Sequence, residues 1–536
     1  LETKILWHPN YCSIEDVSDE VYKLLTHELS FVCNKSDTPE YDWRKEDNWN
    51  GVCYLSKLCG TKLIFPSGLI YRAMKALEST NIKYEVEETW NFDDLPKLSE
   101  PLPIPDYRTH QFGVPDKLIN TVVASREAAP RTGKTYEAFG TIAELGLKTI
   151  YIVSRKEWMS QALQVFKKLA GPDKEHMIGC YGSGIYEPSD VTVVIDAALD
   201  RHIREGNIPE FLSDVGCIIF DEADLSAGTT RAHTISMHCS NAPYHFGFSA
   251  TLTAPRTDGA SMLVEAHTGP VVSIYAADEA QAMGYHAPGR ALFIRLPRII
   301  ASSLGEFYSQ YRTYLINNLY RTLATVYMVQ WGLKNLGASS IVVLVKRVEQ
   351  AKTLQSYLPA SEIAIGTMGN ARREYIMEGI KNGNIRCVIT TLYHRAVDIV
   401  NLEMCINAGG MKAAAEFIQG KYRAKTKSED SNKVAYYIDF IDQLSEGMVS
   451  DDTIGSIEKH SKERLGLAEK DESWNLAIKN LEDLDGFMSF FTRSFPGGLP
   501  LPPDAPMLWT QDSFVRKYAE VAGLQEPYDF SVIFGR

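Results

Sequence analysis

Short apolar runs alternate with helical periodicities along most of the chain. From about residue 106 the runs KTIYIVS, VTVVIDAAL, GCIIFDEAD and HFGFSATL are separated by patterns such as WMSQALQVFKKLA. Runs that are apolar at consecutive positions predict strands buried on both faces, as in a parallel sheet covered by helices. A second series follows: ALFIRLP, SSIVVLVK, the helical RVEQAKTLQSYL, SEIAIGTM, IRCVITT, MCINAGG and KVAYYIDFI. The expectation is two α/β domains in succession, over 106–285 and 286–445. Residues 1–95 carry shorter β-like runs (KILWHP, FVCNK, GVCYLS, KLIFPS) and one helix, LIYRAMKALEST, with Leu69, Ile70, Met74 and Leu77 near helical spacing. They predict a separate small α+β domain. The proline-rich LSEPLPIPDYR between these regions resists both helix and central strand and predicts a linker. Beyond 446 the pattern weakens, and 446–536 is expected to be a partly helical extension.

The bulk properties narrow the class. The 536 residues suffice for several cores, and 45% hydrophobic with 23% charged residues is ordinary for a globular protein. No apolar run approaches the roughly 18 residues needed to span a bilayer. The start, LETKILWHPN, has no secretory core. A cytoplasmic protein is expected, without membrane attachment. Nine scattered cysteines fit reduced thiols better than a zinc site. A net charge of −13 argues against coating nucleic acid with the whole surface. It leaves room for a local groove, because counterion release depends only on the few Lys and Arg at the phosphates.

Candidate chemistry begins at AAPRTGKT, residues 128–135. DKLINTVVA reads as a helix with Leu118, Ile119, Val122 and Val123 on one face. REAA reads as a short, poor strand, and TYEAFGTIAEL as a second helix. Strand, loop and helix in that order form a phosphate-binding loop, in which backbone N–H groups and a helix N-terminus cradle the phosphates. Lys134 would bridge the β- and γ-phosphates and Thr135 would ligate Mg²⁺. Downstream, CIIFDEAD places Asp221 and Glu222 directly after a buried strand. There Asp221 is expected to hold Mg²⁺ and Glu222 to orient or deprotonate water. After a further strand, GFSATLTAP supplies Ser249 and Thr251.

GKT, DEAD and SAT in this order resemble motifs I, II and III of the superfamily 2 helicases. The resemblance extends to YRTHQ, whose Gln111 would read adenine, and to IVSRKEWMSQ, whose Ser154 and Arg155 would meet the DNA backbone. In the second domain VLVKRVEQA looks like motif IV, with Lys346 and Arg347. CVITTLYHRAVDIVNL looks like motif V, with Thr390 and Thr391 facing nucleic acid and Asp398 toward the nucleotide. FIQGKYRAK looks like motif VI, with Gln419 and Arg423. FSATLTAPRTDG, GPVV and GYHAPGRALFI, together with NWNGVCYLS and LIFPSGLI near the N-terminus, resemble the UvsW-type phage helicases and their XPB-like relatives. The resemblance implies two RecA-like domains preceded by a small DNA-binding-like domain. ATP would be held by Gln111, Arg131, Thr132, Gly133, Lys134, Thr135, Asp398 and Gln419. Mg²⁺ would sit at Thr135 and Asp221, and Lys134, Glu222 and Arg423 would be catalytic. Ser249 and Thr251 would couple nucleotide to nucleic acid. The implied substrate is branched DNA, for unwinding, annealing or branch migration.

The chain departs from the family at three points. Motif I has Ala128 for its first glycine and Arg131 in mid-loop. Motif V has Ala396 where a glycine is common. Motif VI ends on Thr426 instead of arginine, which leaves Arg423 as the finger with Lys425 beside it. Two other readings follow: a duplex DNA translocase serving a nuclease or restriction complex, and a nucleotide-gated DNA-binding module without turnover. Trp43, Trp49 and Tyr54 either stack on bases or belong to the core of the small domain.

Overall fold

The computed structural model describes residues 2–32, 51–254, 259–392, 402–410, 421, 424–425, 433–446, 454–494 and 513–522. The chain forms two units, Leu1–Ala276 and Ala277–Arg536. The architecture is α/β: two RecA-like parallel-sheet domains, with a small α+β domain ahead of them and partly helical structure at the end.

The small domain has a five-stranded sheet in the order Lys57–Cys59, Lys62–Pro66, Tyr11–Ile14, Thr3–Trp7, Tyr84–Glu88. Helices Asp19–Glu28 and Ile70–Ser79 cover it and bury Leu25, Ile70 and Leu77 against Ile5, Ile14 and Phe65. Its core continues into Val123 and Ala266 of the following domain. Gly68 lies at this junction. A Cβ there would fall 2.2 Å from the Glu265 carbonyl oxygen, so only glycine permits the approach. Arg72 pairs with Glu265 at 2.5 Å, and the Tyr71 hydroxyl donates to the Thr121 carbonyl at 2.8 Å. Trp43 and Trp49 lie outside the described residues, whereas Tyr54 is exposed rather than part of the core. The proline-rich segment has neither helix nor strand from residue 100 to 108. It is anchored all the same: Leu102 is buried, and Leu98 N–H donates to the Gly146 carbonyl at 2.9 Å.

The first RecA-like sheet has eight strands. Their order is Ile185–Glu187, Ile178–Gly182, Val191–Ile195, Thr149–Val153, Cys217–Asp221, Tyr244–Ser249, Val123–Ala128, Val271–Tyr275. All neighbours are parallel except the first hairpin. The sequence reading is corrected at one place. Val122 and Val123 are not on a helical face: the helix is Val114–Thr121, Val122 leaves it at φ 66°, and Val123 opens the strand. β-branched residues favour a strand, and here Val123 is buried in the sheet. The strand is also longer than REAA, because Arg126 is accommodated inside it.

The second RecA-like sheet has seven strands, all parallel: Glu362–Ala364, Cys387–Thr390, Ile341–Leu344, Met404–Asn407, Ala435–Ile441, Gly289–Arg295, Trp474–Asn480. The last strand comes from the 446–536 segment, as does helix Ser456–Glu469, whose buried Arg464 pairs with Asp439 at 3.1 Å. Part of that segment is therefore integral to the domain. No helix among the described residues is long and apolar enough to cross a membrane.

Candidate functional site

In a parallel sheet the strand carboxyl ends form the edge where ligands bind, because each strand there gives way to a loop and a helix N-terminus. In the first unit these ends carry Ala128, Val153, Ile195, Asp221 and Ser249. The segment after Ala128 turns tightly through Arg131 at φ 65° and Gly133 at φ 100° before helix Lys134–Leu145 begins. Arg131 is exposed. It occupies the left-handed region at a cost of order 1–2 kcal/mol that glycine would avoid. Gly133 is favoured by its φ, and a Cβ there would also press on the Gln111 amide nitrogen, 2.7 Å away.

Gln111 is buried against this loop. Its amide nitrogen donates to the carbonyls of Thr132 at 3.4 Å and Gly133 at 3.3 Å, and its oxygen accepts from Arg108 N–H. Thr132 is buried and donates to the Ala129 carbonyl at 2.7 Å. The Lys134 ammonium donates to the Ala128 carbonyl at 3.2 Å, so the side chain bends back over the loop. Thr135 follows in the first helical turn, where the helix dipole favours anions.

Asp221 ends the acidic strand, next but one to Val123–Ala128 in the sheet, and Glu222 follows it. Burial raises the pKa of both carboxyls, opposed first by the Lys134 charge; Glu222 is pushed up to about 7. Glu222 sits at φ 43°, a conformation that non-glycine residues rarely hold. The Ser249 hydroxyl donates to Asp224 at 2.5 Å and lies 3.3 Å from Glu222; the Thr251 hydroxyl donates to Asp224 at 2.8 Å. The acidic segment and the hydroxyl segment are thus tied by three side-chain contacts. Lys134, Thr135, Asp221, Glu222, Ser249 and Thr251 come together at one sheet edge. Ser154 and Arg155 follow the neighbouring strand: Ser154 contacts Asp196 at 3.5 Å, and the Arg155 guanidinium lies over the Trp158 ring.

In the second unit Lys346 and Arg347 follow strand Ile341–Leu344, and Thr390 and Thr391 end the adjacent strand Cys387–Thr390. Lys346 and Arg347 are exposed; Thr390 is buried and accepts from Leu392 N–H. Asp398, Gln419 and Arg423 lie outside the described residues. Lys425 is described and buried. Its ammonium donates to Gln281 at 2.8 Å and to the Ser473 carbonyl at 2.5 Å, and burial pulls its pKa down to about 7. Lys425 is thereby committed to the interior of its own unit.

Sequence reasoning missed four contributors. Asp224 anchors both hydroxyls; its place in the DEAD run was the available signal. Arg126 and Glu137 form a fully buried pair at 3.2 Å behind the loop, and Arg126 also donates to Ser273 at 2.8 Å. Tyr151 is the fourth, on the strand beside the acidic one and level with Ile219.

The first unit thus has a loop between strand and helix, an acidic pair at the end of the next strand but one and hydroxyls at the end of the strand between them, all on one α/β core. In sequence, residues 127–254 match the family model described as type III restriction enzyme, res subunit. No curated protein matches the sequence significantly. Among solved structures, a putative HsdR subunit of a type I restriction enzyme from Vibrio vulnificus shares the fold at 14% identity and TM-score 0.51, over 76% of this chain and 74% of that one. UvsW of bacteriophage T4 aligns at 17% identity and TM-score 0.40, over 90% of this chain and 100% of that one. Dbp5 of S. cerevisiae, bound to RNA and ADP BeF3, aligns at 14% identity and TM-score 0.47, over 71% and 92%.

Proposed function

We propose that the chain is an ATP-dependent DNA helicase acting on branched DNA. The observation that carries this reading is the convergence of Lys134, Asp221, Glu222 and the Ser249–Thr251–Asp224 lock at one sheet edge. Gln111, Arg131, Thr132 and Gly133 shape the loop that would receive the phosphates, and Lys134 would leave the Ala128 carbonyl for the β- and γ-phosphate oxygens. Bound Mg²⁺ would neutralise charge developing on the transferring phosphoryl group, and Thr135 and Asp221 are the side chains suited to hold it. Glu222 would orient water and take its proton; a pKa near neutrality suits a base at that step. Ser249 and Thr251 would report the state of Glu222 to the nucleic-acid side through Asp224. Ser154, Arg155, Lys346, Arg347, Thr390 and Thr391 are the proposed backbone contacts, which would make binding salt-sensitive and weakly sequence-selective. Asp398 and Gln419 are proposed for the nucleotide, and Arg423 for the γ-phosphate. With Lys425 buried, no role as finger is assigned to it.

The likeness of residues 127–254 to a restriction res subunit supports a second reading, a duplex DNA translocase without strand separation. Phosphate release by the purified chain, with and without forked DNA, tests both. DNA-stimulated turnover is expected, and Lys134→Ala and Glu222→Gln should each reduce it by at least about a hundredfold. Release of a labelled strand from the fork supports the helicase. Stimulation by blunt duplex with displacement of a triplex strand, but no unwinding, supports the translocase. ATP binding without turnover in the parent chain would refute both.

A further inference from the structure

Tyr151 lies in the middle of strand Thr149–Val153, paired with Ile219 of the acidic strand. Side chains alternate across a strand, so Ile219 and Asp221 point to the same face as Tyr151. A diagonal neighbour two residues on is within reach of an aromatic side chain. The Tyr151 ring packs edge-on against Phe166 with centroids 4.9 Å apart, in the core that includes Phe139 of the loop helix. Its hydroxyl comes close to the Asp221 carboxylate and the Thr135 hydroxyl. Among the described residues that hydroxyl, though buried, makes no well-formed hydrogen bond. A buried hydroxyl without a partner is costly, and such groups in folded proteins call for an explanation. The two side chains it faces are those assigned above to the metal.

We propose that Tyr151 is a positioning residue for the nucleotide-bound divalent cation: its hydroxyl donates to Asp221 or to a metal-bound water once Mg²⁺–nucleotide is in place. The inference rests on the nucleotide-site reading. It makes two consequences of one substitution point in opposite directions. Tyr151→Phe keeps the ring against Phe166 and removes the unsatisfied hydroxyl, so the free protein should melt at the same temperature or higher. The same change removes a donor that acts only when the cation is bound. ADP binding by the full chain, measured by calorimetry with EDTA and then with increasing Mg²⁺, should be unchanged in EDTA. Its gain from Mg²⁺ should fall roughly tenfold, as for loss of a hydrogen bond to a charged group. An equal loss of affinity with and without Mg²⁺, together with a lower melting temperature, would make Tyr151 merely structural. An undiminished Mg²⁺ gain would overturn the inference while leaving the nucleotide site standing. If the parent chain binds no nucleotide under either condition, the site reading fails and this inference falls with it.

Discussion

Glu222 concentrates the conflict at the residue scale. It is held at a strained φ, beside Asp221 and Asp224, and its pKa is raised from 4.5 to about 7, chiefly by burial. In the unfolded chain the same carboxyl ionises near its ordinary value. Between about pH 4.5 and 7 the unfolded state therefore binds fewer protons than the folded one, and stability falls as pH rises through that window. At one pKa unit per 1.36 kcal/mol the upper bound is roughly 3 kcal/mol, reduced by whatever water reaches this half-buried site. Asp221 is shifted in the same direction and adds to the effect. Glu222→Gln cannot ionise. Its melting temperature should exceed that of the parent at pH 8, and the difference should shrink toward pH 5. A difference that stays constant over this range would show that Glu222 titrates normally. The prediction concerns the protein without nucleotide, where Lys134 rests on the Ala128 carbonyl.

At the scale of the element, the strand Val123–Ala128 shows where sequence patterning stops being informative. Arg126 and Glu127 interrupt the apolar run, and pattern alone reads the segment as a poor strand. The fold buries Arg126 because Glu137, in the helix after the loop, supplies both carboxylate oxygens at 3.2 Å, and Ser273 of the neighbouring strand supplies a third acceptor. This partnership joins strand, loop and helix and cannot be seen in any single window. By contrast, strands such as Cys217–Asp221 and Tyr244–Ser249 are legible because they are apolar over most of their length, and Asp221, Glu222 and Ser249 are legible because each stands at the end of such a run, whereas Lys134 is legible from the GKT of the loop. Arg131 was legible only as an oddity, and its left-handed φ depends on the turn's geometry. The hidden pair leads to a direct expectation. Glu137→Ala leaves a guanidinium buried without its counter-charge and should cost about 3–5 kcal/mol. Replacing both partners, Arg126→Met with Glu137→Leu, should recover most of that loss. Urea midpoints of the parent and the single and double variants measure this. A double variant as unstable as Glu137→Ala would mean that the loss reflects packing of the helix and not the unpaired charge.

On the scale of the whole molecule, the small N-terminal domain is part of the first unit's structure. Its helix Ile70–Ser79 and the turn before it sit on helix Ala260–Thr268, with Gly68 against the Glu265 and Ala266 carbonyls and Arg72 on the Glu265 carboxylate. The contact also covers Val123, the first residue of the strand that leads into the phosphate loop. Docking and the loop thus share a structural element. Gly68→Val places branched carbon atoms where a Cβ alone would approach a carbonyl oxygen to 2.2 Å, and backbone cannot yield as a flexible side chain would. The seam must open. The small domain retains its own core of Ile5, Ile14, Leu25, Phe65 and Leu77, so it need not unfold when the seam does. Gly68→Val should therefore convert a joint thermal transition of this unit into two. It should also expose the proline-rich segment around Pro101–Pro105 to limited proteolysis, releasing a fragment of about the first hundred residues. Arg72→Ala removes one partly exposed ion pair and should give a much weaker version of the same change, of order 1 kcal/mol or less. If Gly68→Val lowers a single transition without splitting it, and cleavage in the segment does not increase, the two domains fold as one cooperative body and the seam is part of a common core.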